Sequence, residues 1–173
     1  MSPGLAQAWL AAVADPRIAG ALEAVYAEAA AEIEARKPVC VASGRCCHFE
    51  AYGHRLYVTG LEAAYTVSRA GRRDRAGSAP GGARGALSLP VLSAATLAGA
   101  QGAGMCPFLQ GTLCTVHEIK PLACRTYYCD PTAQEWQQAL TERLLGRIRG
   151  IHEEFGVEYR YGEWWGVLAS FTR

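Results

Sequence analysis

The sequence has almost no net charge, no long apolar run and no glycine-rich phosphate-binding loop. Its 17 basic and 16 acidic side chains leave a formal net charge of +1, which gives no electrostatic signal for nucleic acid or for an anionic membrane surface. No stretch approaches the roughly 18 consecutive apolar residues that a membrane-spanning helix needs. The first residues also lack the basic and apolar pattern of a secretory leader. We therefore expect a cytoplasmic protein with no nucleic-acid partner and no membrane association.

A C-x-x-C pair is also missing, although the chain contains seven cysteines. In a reducing compartment thiols stay free, so this many cysteines is more typical of metal binding or catalysis than of a disulfide framework. A thiol-disulfide oxidoreductase would normally carry C-x-x-C at a helix start, which argues against that activity. The odd total leaves at least one cysteine outside any set of pairs.

Two strong helix signals predict a mainly α fold. Asp15 and Pro16 form a cap-and-proline start, and apolar residues then recur every three or four positions in a helix predicted at about 16–36. A second Asp-Pro pair opens another amphipathic helix, predicted at about 131–155. Because the chain has 173 residues, half of them hydrophobic, we expect one small domain covering 1–173.

Shorter elements are predicted between these helices. Leu56–Val58 suits a short strand, and Thr59 with Glu62 forms a capping box for a helix that ends at about Ala70. The glycine- and serine-rich chain that follows predicts a mobile loop at about 71–87. The stretch "SLPVLSAATLAGA" then predicts a short helix.

The cysteines fall into two groups, both in irregular chain between the predicted helices. They are Cys40, Cys46 and Cys47, and then Cys106, Cys114, Cys124 and Cys129. Several thiolates in one place repel each other unless a cation neutralises them, and both zinc and iron-sulfur clusters accept tetrahedral thiolate sets. The gaps of seven, nine and four residues in the second group match neither a zinc ribbon nor a bacterial ferredoxin. Zinc and a 4Fe-4S cluster are both left open.

Cysteines also occur as packed structural thiols and as catalytic nucleophiles. Free cysteine packs as a small apolar residue, which accounts for single positions but poorly for all seven. Cys47 with His48, or Cys114 with His117, would supply a nucleophile and a base, yet sequence neighbours are rarely partners in space and no third orienting group is evident. Either histidine is also a candidate to complete a mixed metal site through an imidazole nitrogen.

Arg45 and Arg125 each adjoin a cysteine. A thiolate-rich site carries negative charge, and a nearby arginine lowers the pKa of a thiol and donates hydrogen bonds to sulfur. We expect these two side chains to lie behind the ligands rather than to coordinate.

The order of several short motifs resembles a known family. The stretch "CVASGRCCHF", then "CPFL", a cysteine eight residues further on, "KPLACR" and a last cysteine resemble the YkgJ-like cysteine-cluster proteins, described as zinc- or iron-chelating domains with a CxxCxxCC signature. The resemblance covers about 40–130 and implies an irregular segment that a metal staples through these cysteines. An equivalent domain accompanies flagellin lysine methylases, where it is expected to hold an iron-sulfur cluster. His117 and Lys120 stand where the family more often has tyrosine and arginine.

The sequence departs from this signature in the first cysteine group. Five residues separate Cys40 from Cys46 and the usual second cysteine is missing, so the resemblance implies one four-thiolate site rather than two. The ligands at the most regular positions are Cys47, Cys106, Cys114 and Cys124. The other three, Cys40, Cys46 and Cys129, are left as reserve ligands, a partial second site or packed thiols. Because successive side chains in extended chain point to opposite sides, we expect Cys46 and Cys47 to face different directions.

Three functions are consistent with a centre bound by these cysteines. The first is a metal-binding protein that holds zinc or a 4Fe-4S cluster for structure, electron transfer or sensing. The second is an enzyme, with a redox or methyltransferase-associated activity, that uses an iron-sulfur cluster in the same site. The third is a partner-binding module whose metal only holds the fold. The sequence has no glycine-rich cofactor loop, which favours the first function.

Overall fold

The computed structural model describes residues 3–77 and 92–172, which form a mainly helical structure. Seven α-helices lie in these ranges: α1 (Pro3–Ala12), α2 (Pro16–Arg36), α3 (Gly60–Gly77), α4 (Ala94–Gly102), α5 (Leu122–Thr126), α6 (Gln134–Glu154) and α7 (Trp164–Ala169). The same ranges contain four short strands: β1 (Tyr57–Thr59), β2 (Leu109–Gln110), β3 (Leu113–Cys114) and β4 (Tyr161–Glu163). The prediction of a mainly α fold is confirmed.

Helix α2 begins and ends where its sequence predicts. The Asp15 carboxylate accepts a hydrogen bond from Arg17 N at 2.8 Å, and Pro16 is the first helical residue. Lys37 adopts a left-handed backbone with φ of 47° and donates its N–H to Ile33 O at 2.9 Å. This geometry satisfies a terminal carbonyl and turns the chain away from the helix axis. The buried face of α2 contains Ile18, Ala19, Leu22, Val25, Tyr26 and Ala29.

The helix predicted at 131–155 is present as α6, but its first turn is a separate 3-10 turn, Pro131–Ala133. The Asp130 carboxylate accepts a hydrogen bond from Thr132 N at 2.9 Å and so caps this turn. Beyond the end of α6, Gly156 takes a left-handed conformation with φ of 64°, which non-glycine residues rarely adopt.

Helix α3 begins with the predicted capping box but is longer than predicted. Thr59 N donates to Glu62 Oε2 at 2.9 Å, and Glu62 N donates back to Thr59 Oγ1 at 3.4 Å. The helix then continues past Ala70 to Gly77. The prediction of a mobile loop at 71–87 is therefore wrong for residues 71–77. Arginine and alanine are good helix formers, and isolated glycines weaken a helix without ending it. Residues 78–87 lie outside the described part of the chain.

The predicted short helix after this region is α4. Ser93 caps it by accepting a hydrogen bond from Thr96 N at 3.0 Å. Leu97 is its buried side chain and joins the hydrophobic core. The serine, rather than the preceding proline, therefore marks where the helix starts.

The two ends of the described chain are packed against each other. Trp9 on α1 is fully buried, and its Nε1 donates to Glu158 O at 2.9 Å. A Cβ atom at Gly60 would lie 2.1 Å from the Trp9 ring, so only glycine fits at the start of α3. Strand β1 pairs antiparallel with β4, and Tyr57 lies opposite Glu163. Residues close to both ends of the chain thus enclose α3.

One hydrophobic core extends through the helices and into the cysteine-bearing segments. Besides side chains of α1, α2, α3, α6 and α7, it contains Cys47, Phe49, Cys106 and Phe108. The cysteine-bearing chain is therefore packed onto the helices instead of extending from them.

None of the described helices is long and apolar enough to cross a membrane.

Candidate metal centre

All seven cysteines line one cavity of about 900 Å³. Its wall is formed by residues 39–47, the hairpin of β2 and β3, helix α5 and the N-terminal half of α6. Cys47 and Cys106 are buried, Cys114 and Cys124 are half-buried, and Cys40, Cys46 and Cys129 are exposed. The fold thus brings together two cysteine groups that are far apart in sequence.

A 3-10 turn, Arg45–Cys47, places the adjacent cysteines on the same cavity. Gly44 precedes the turn with a left-handed backbone, φ 73°, and accepts a hydrogen bond from Cys47 N at 2.9 Å. The Sγ atoms of Cys46 and Cys47 are 4.0 Å apart. The expectation that they face different directions is wrong because it assumed extended chain. In extended chain successive side chains point to opposite sides, whereas in a 3-10 turn, which has about three residues per turn, they are only about 120° apart. The two sulfurs can therefore approach each other.

The hairpin of β2 and β3 supplies Cys114, and the chain just before it supplies Cys106. Cys106 N donates to Cys47 O at 2.8 Å, which joins the two cysteine groups through the main chain. Within the hairpin, Leu109 lies opposite Cys114. The turn between the strands contains Gly111 with φ of 61°. Main-chain hydrogen bonds therefore fix the backbone positions of Cys47, Cys106 and Cys114.

Helix α5 carries Cys124 and is anchored by a buried carboxylate. Glu62 Oε1 accepts a hydrogen bond from Leu122 N at 2.8 Å, while Oε2 accepts from Thr59 N and Thr59 Oγ1, both at 2.9 Å. Burial raises the pKa of Glu62. These bonds connect the start of α3 to the start of α5 and so position Cys124.

The Cys47 thiol is at the centre of the grouped sulfurs. Its contacts with the thiols of Cys106, Cys114 and Cys46, together with burial, raise its pKa. The contact with Cys47 lowers the pKa of Cys46 to about 6 and that of Cys114 to about 7. Burial raises the pKa of Cys124, and the nearby cysteines raise it further. We call these five side chains the thiol cluster.

The thiols of the cluster lie in one cavity, but their sulfur atoms are not arranged around a single centre. Within residues 3–77 and 92–172, no three His, Cys, Asp or Glu side chains are already placed to hold a metal ion. The sulfurs share a cavity and touch in pairs. Side-chain rotations are therefore needed to bring four of them onto one centre.

Lys120 is a cation that acts on the thiol cluster. It lies in the cavity wall and contributes to the lowered pKa of two cluster thiols. Arg125 Nε donates to Lys120 O at 2.8 Å, and its Nη2 donates to Glu118 O at 2.7 Å. The guanidinium of Arg45 lies 5.3 Å from the centroid of the Tyr52 ring. Arg125 thus holds the main chain around Lys120 and also interacts electrostatically with Cys124. The charge of Arg45 opposes the rise in the pKa of Cys129.

A histidine that the sequence did not single out contacts the turn. The His54 ring stacks on Tyr127 with centroids 4.9 Å apart, and its Nε2 lies 3.2 Å from Cys46 O. His117 lines the cavity and is exposed, while His48 is half-buried and outside the cavity lining. The sequence contained no signal for His54, because its stacking partner comes from a distant segment.

Cys40 and Cys129 lie at the exposed edge of the cavity. Cys40 belongs to residues 37–43, a segment without helix or strand that we call the strap. The Cys129 thiol is within electrostatic range of both Cys46 and Cys40. These two thiols are therefore neighbours of the thiol cluster without belonging to it.

We compared the chain with protein-family models, with curated proteins and with solved structures, and none of the three comparisons gives a match. The fold and the site define a small, mainly α protein with a thiol-lined cavity. The chemistry of the cavity thiols is therefore the guide to its function.

Proposed function

We propose that this is a metal-binding protein whose thiol cluster holds a zinc ion or an iron-sulfur cluster. The observation that carries the proposal is the convergence of cysteines from three separate segments on one cavity. Unshared thiolates at such short range repel each other, and a cation removes that cost. Sets of thiolate ligands select zinc and iron-sulfur clusters over hard cations.

One pair of sulfurs already has nearly the separation of two zinc ligands. Two thiolates bound tetrahedrally at about 2.3 Å from zinc lie about 3.8 Å apart, and the Sγ atoms of Cys46 and Cys47 are 4.0 Å apart. The cavity volume of about 900 Å³ supports a 4Fe-4S cluster as the second candidate, because a cluster needs more room than one ion.

Cys47, Cys106 and Cys114 are the ligands that the thiol contacts favour. Cys124 is the fourth ligand in this proposal, because α5 holds it, half-buried, in the cavity wall. Cys46 competes for that position, since it also touches Cys47. A bound centre would cross-link three chain segments, so its binding energy would add to folding energy.

The proposal includes the YkgJ-like family and a cytoplasmic location. The order of the cysteine motifs supports the family, and seven unpaired thiols are suited to a reducing compartment. The four cysteines that the resemblance implies as ligands, Cys47, Cys106, Cys114 and Cys124, all line the cavity.

Anaerobic purification followed by metal analysis and an absorption spectrum tests the proposal. We expect either a colourless protein with about one zinc per chain or a brown protein with acid-labile sulfide. A folded, metal-free protein in which all seven thiols react with a thiol reagent would refute it.

A pair of serine variants tests the ligand assignment. Cys47→Ser should abolish most metal binding and lower stability, because the Cys47 thiol contacts three others. Cys46→Ser should be milder, because Cys46 is exposed and its one thiol contact is with Cys47. Val41→Ser, an exposed change to serine in the neighbouring chain that removes no thiol, is the matched control. The opposite order of the two cysteine variants would overturn the assignment.

A further inference from the structure

The cavity thiols form a series from solvent to core. Cys40 and Cys129 are exposed at the edge, Cys46 is exposed but touches the buried Cys47, and Cys106 is buried beyond it. Cys129 is within electrostatic range of both Cys40 and Cys46. Exposed and buried thiols therefore line one cavity, and the contact of Cys46 with Cys47 joins the exposed thiols to the buried ones.

The strap holds the outer thiols near each other. The Val39 main chain lies close enough to the Asp130 carboxylate to lower its pKa, which places the strap near Cys129. Val39 and Val41 on the strap are 67% and 76% exposed, although both line the cavity. The strap and its Cys40 are therefore open to solvent at the mouth of the cavity.

We infer that Cys40, Cys129 and Cys46 form a transfer relay, through which a thiol-binding metal ion such as zinc passes between solvent donors and the four proposed ligands. This inference rests on the proposed function, and it adds that the outer thiols serve exchange rather than storage. It also gives the three cysteines outside the proposed ligand set one shared role.

The chemistry of the relay is ligand exchange. At each step one metal-sulfur bond forms while another breaks, the incoming thiol gives its proton to water, and the departing thiolate takes a proton back. No electron is transferred, so no oxidant or reductant is needed. Thiols that line the same cavity act on each other at effective concentrations on the order of millimolar, which favours stepwise exchange over release into solvent.

Stopped-flow exchange of zinc with a chromophoric chelator tests the relay. The proteins are the full-length wild type, Cys40→Ser, Cys129→Ser and the double variant, each prepared anaerobically with zinc. Val41→Ser is the matched control, because it alters the same exposed strap and the same cavity wall without removing a thiol. Zinc per chain and far-UV circular dichroism are measured on every protein.

The relay predicts unchanged zinc per chain and unchanged secondary structure in the variants, with exchange slowed roughly tenfold in the double variant. The Val41→Ser protein should exchange at the wild-type rate. Equal rates for the wild type and the double variant would overturn the relay while leaving the proposed function intact. A lower zinc content in the double variant would also overturn it, because the outer thiols would then be resident ligands. If the wild type retains no metal, the proposed function itself fails.

Discussion

Replacing Glu62 by glutamine is expected to destabilise the fold and to loosen the segment that carries Cys124. The two carboxylate oxygens accept three hydrogen bonds, from Leu122 N, Thr59 N and Thr59 Oγ1. Glutamine keeps one acceptor oxygen, so an NH₂ group must face at least one buried donor. An unsatisfied buried donor costs about 1–3 kcal/mol, and removal of a buried charge offsets part of this. We expect the free energy of unfolding to fall by about 2 kcal/mol at pH 7.

The pH dependence of this effect has a definite sign. Burial raises the pKa of Glu62 above the usual value of 4.5, so the folded state holds the proton more tightly than the unfolded state. The contribution to stability is present below pH 4.5 and is lost as the pH rises through the folded-state pKa. The glutamine variant lacks this contribution. The gap in stability between the two proteins should therefore narrow as the pH rises from about 4 to 7.

Urea unfolding followed by circular dichroism measures the change. Glu34→Gln, the same chemical change at an exposed position on α2, should stay within about 0.5 kcal/mol of the wild type. Mass spectrometry after thiol labelling supplies a second readout, in which Cys124 should react faster in Glu62→Gln. A variant as stable as the control, or a stability gap that widens with pH, would refute the account of Glu62.

Three parts of the fold and site lead to further predictions. Gly60→Ala should lower the free energy of unfolding by about 3 kcal/mol or more and the melting temperature with it, because the added Cβ would overlap the Trp9 ring. A melting curve like that of the wild type would contradict this packing. His152 is buried, its Nδ1 lies 3.2 Å from Val157 O, and burial lowers its pKa. Its contribution to stability is therefore present above about pH 6.5 and lost as the pH falls through the lowered folded-state pKa; His152→Leu should remove this loss, and an identical pH profile for both proteins would contradict it. Treatment with a strong chelator should lower the melting temperature of the purified protein if the proposed centre cross-links the chain, and differential scanning calorimetry measures that shift.

The parts of the fold that sequence predicted are those with local signals. Asp15 and Pro16 define the start of α2 because a cap acts within one turn of chain. The capping box of Thr59 and Glu62 is equally local. The pairing of β1 with β4 and the close contact of Trp9 with Gly60 were not predictable in this way, since each joins residues that are distant in the sequence.

The candidate site shows the same difference between features with a local sequence signal and features that depend on contacts between distant residues. The sequence grouped the cysteines and favoured metal binding by them, and the structure places them around one cavity. The predicted direction of Cys46 was wrong because a three-residue 3-10 turn has no strong sequence signal beyond Gly44. The contribution of Lys120 and the contact of His54 with Cys46 O depend on packing between segments, which residue spacing does not encode.

The main-chain bond from Cys106 N to Cys47 O has a consequence for the order of folding. The two residues are about 60 positions apart, and closing a loop of that length costs about 3.6 kcal/mol of chain entropy beyond a constant. Contacts of such high sequence separation form slowly compared with helices. During synthesis, α2 can be complete long before the second cysteine group leaves the ribosome. The chain would therefore acquire its sulfur pocket late in its maturation, after α2 has formed.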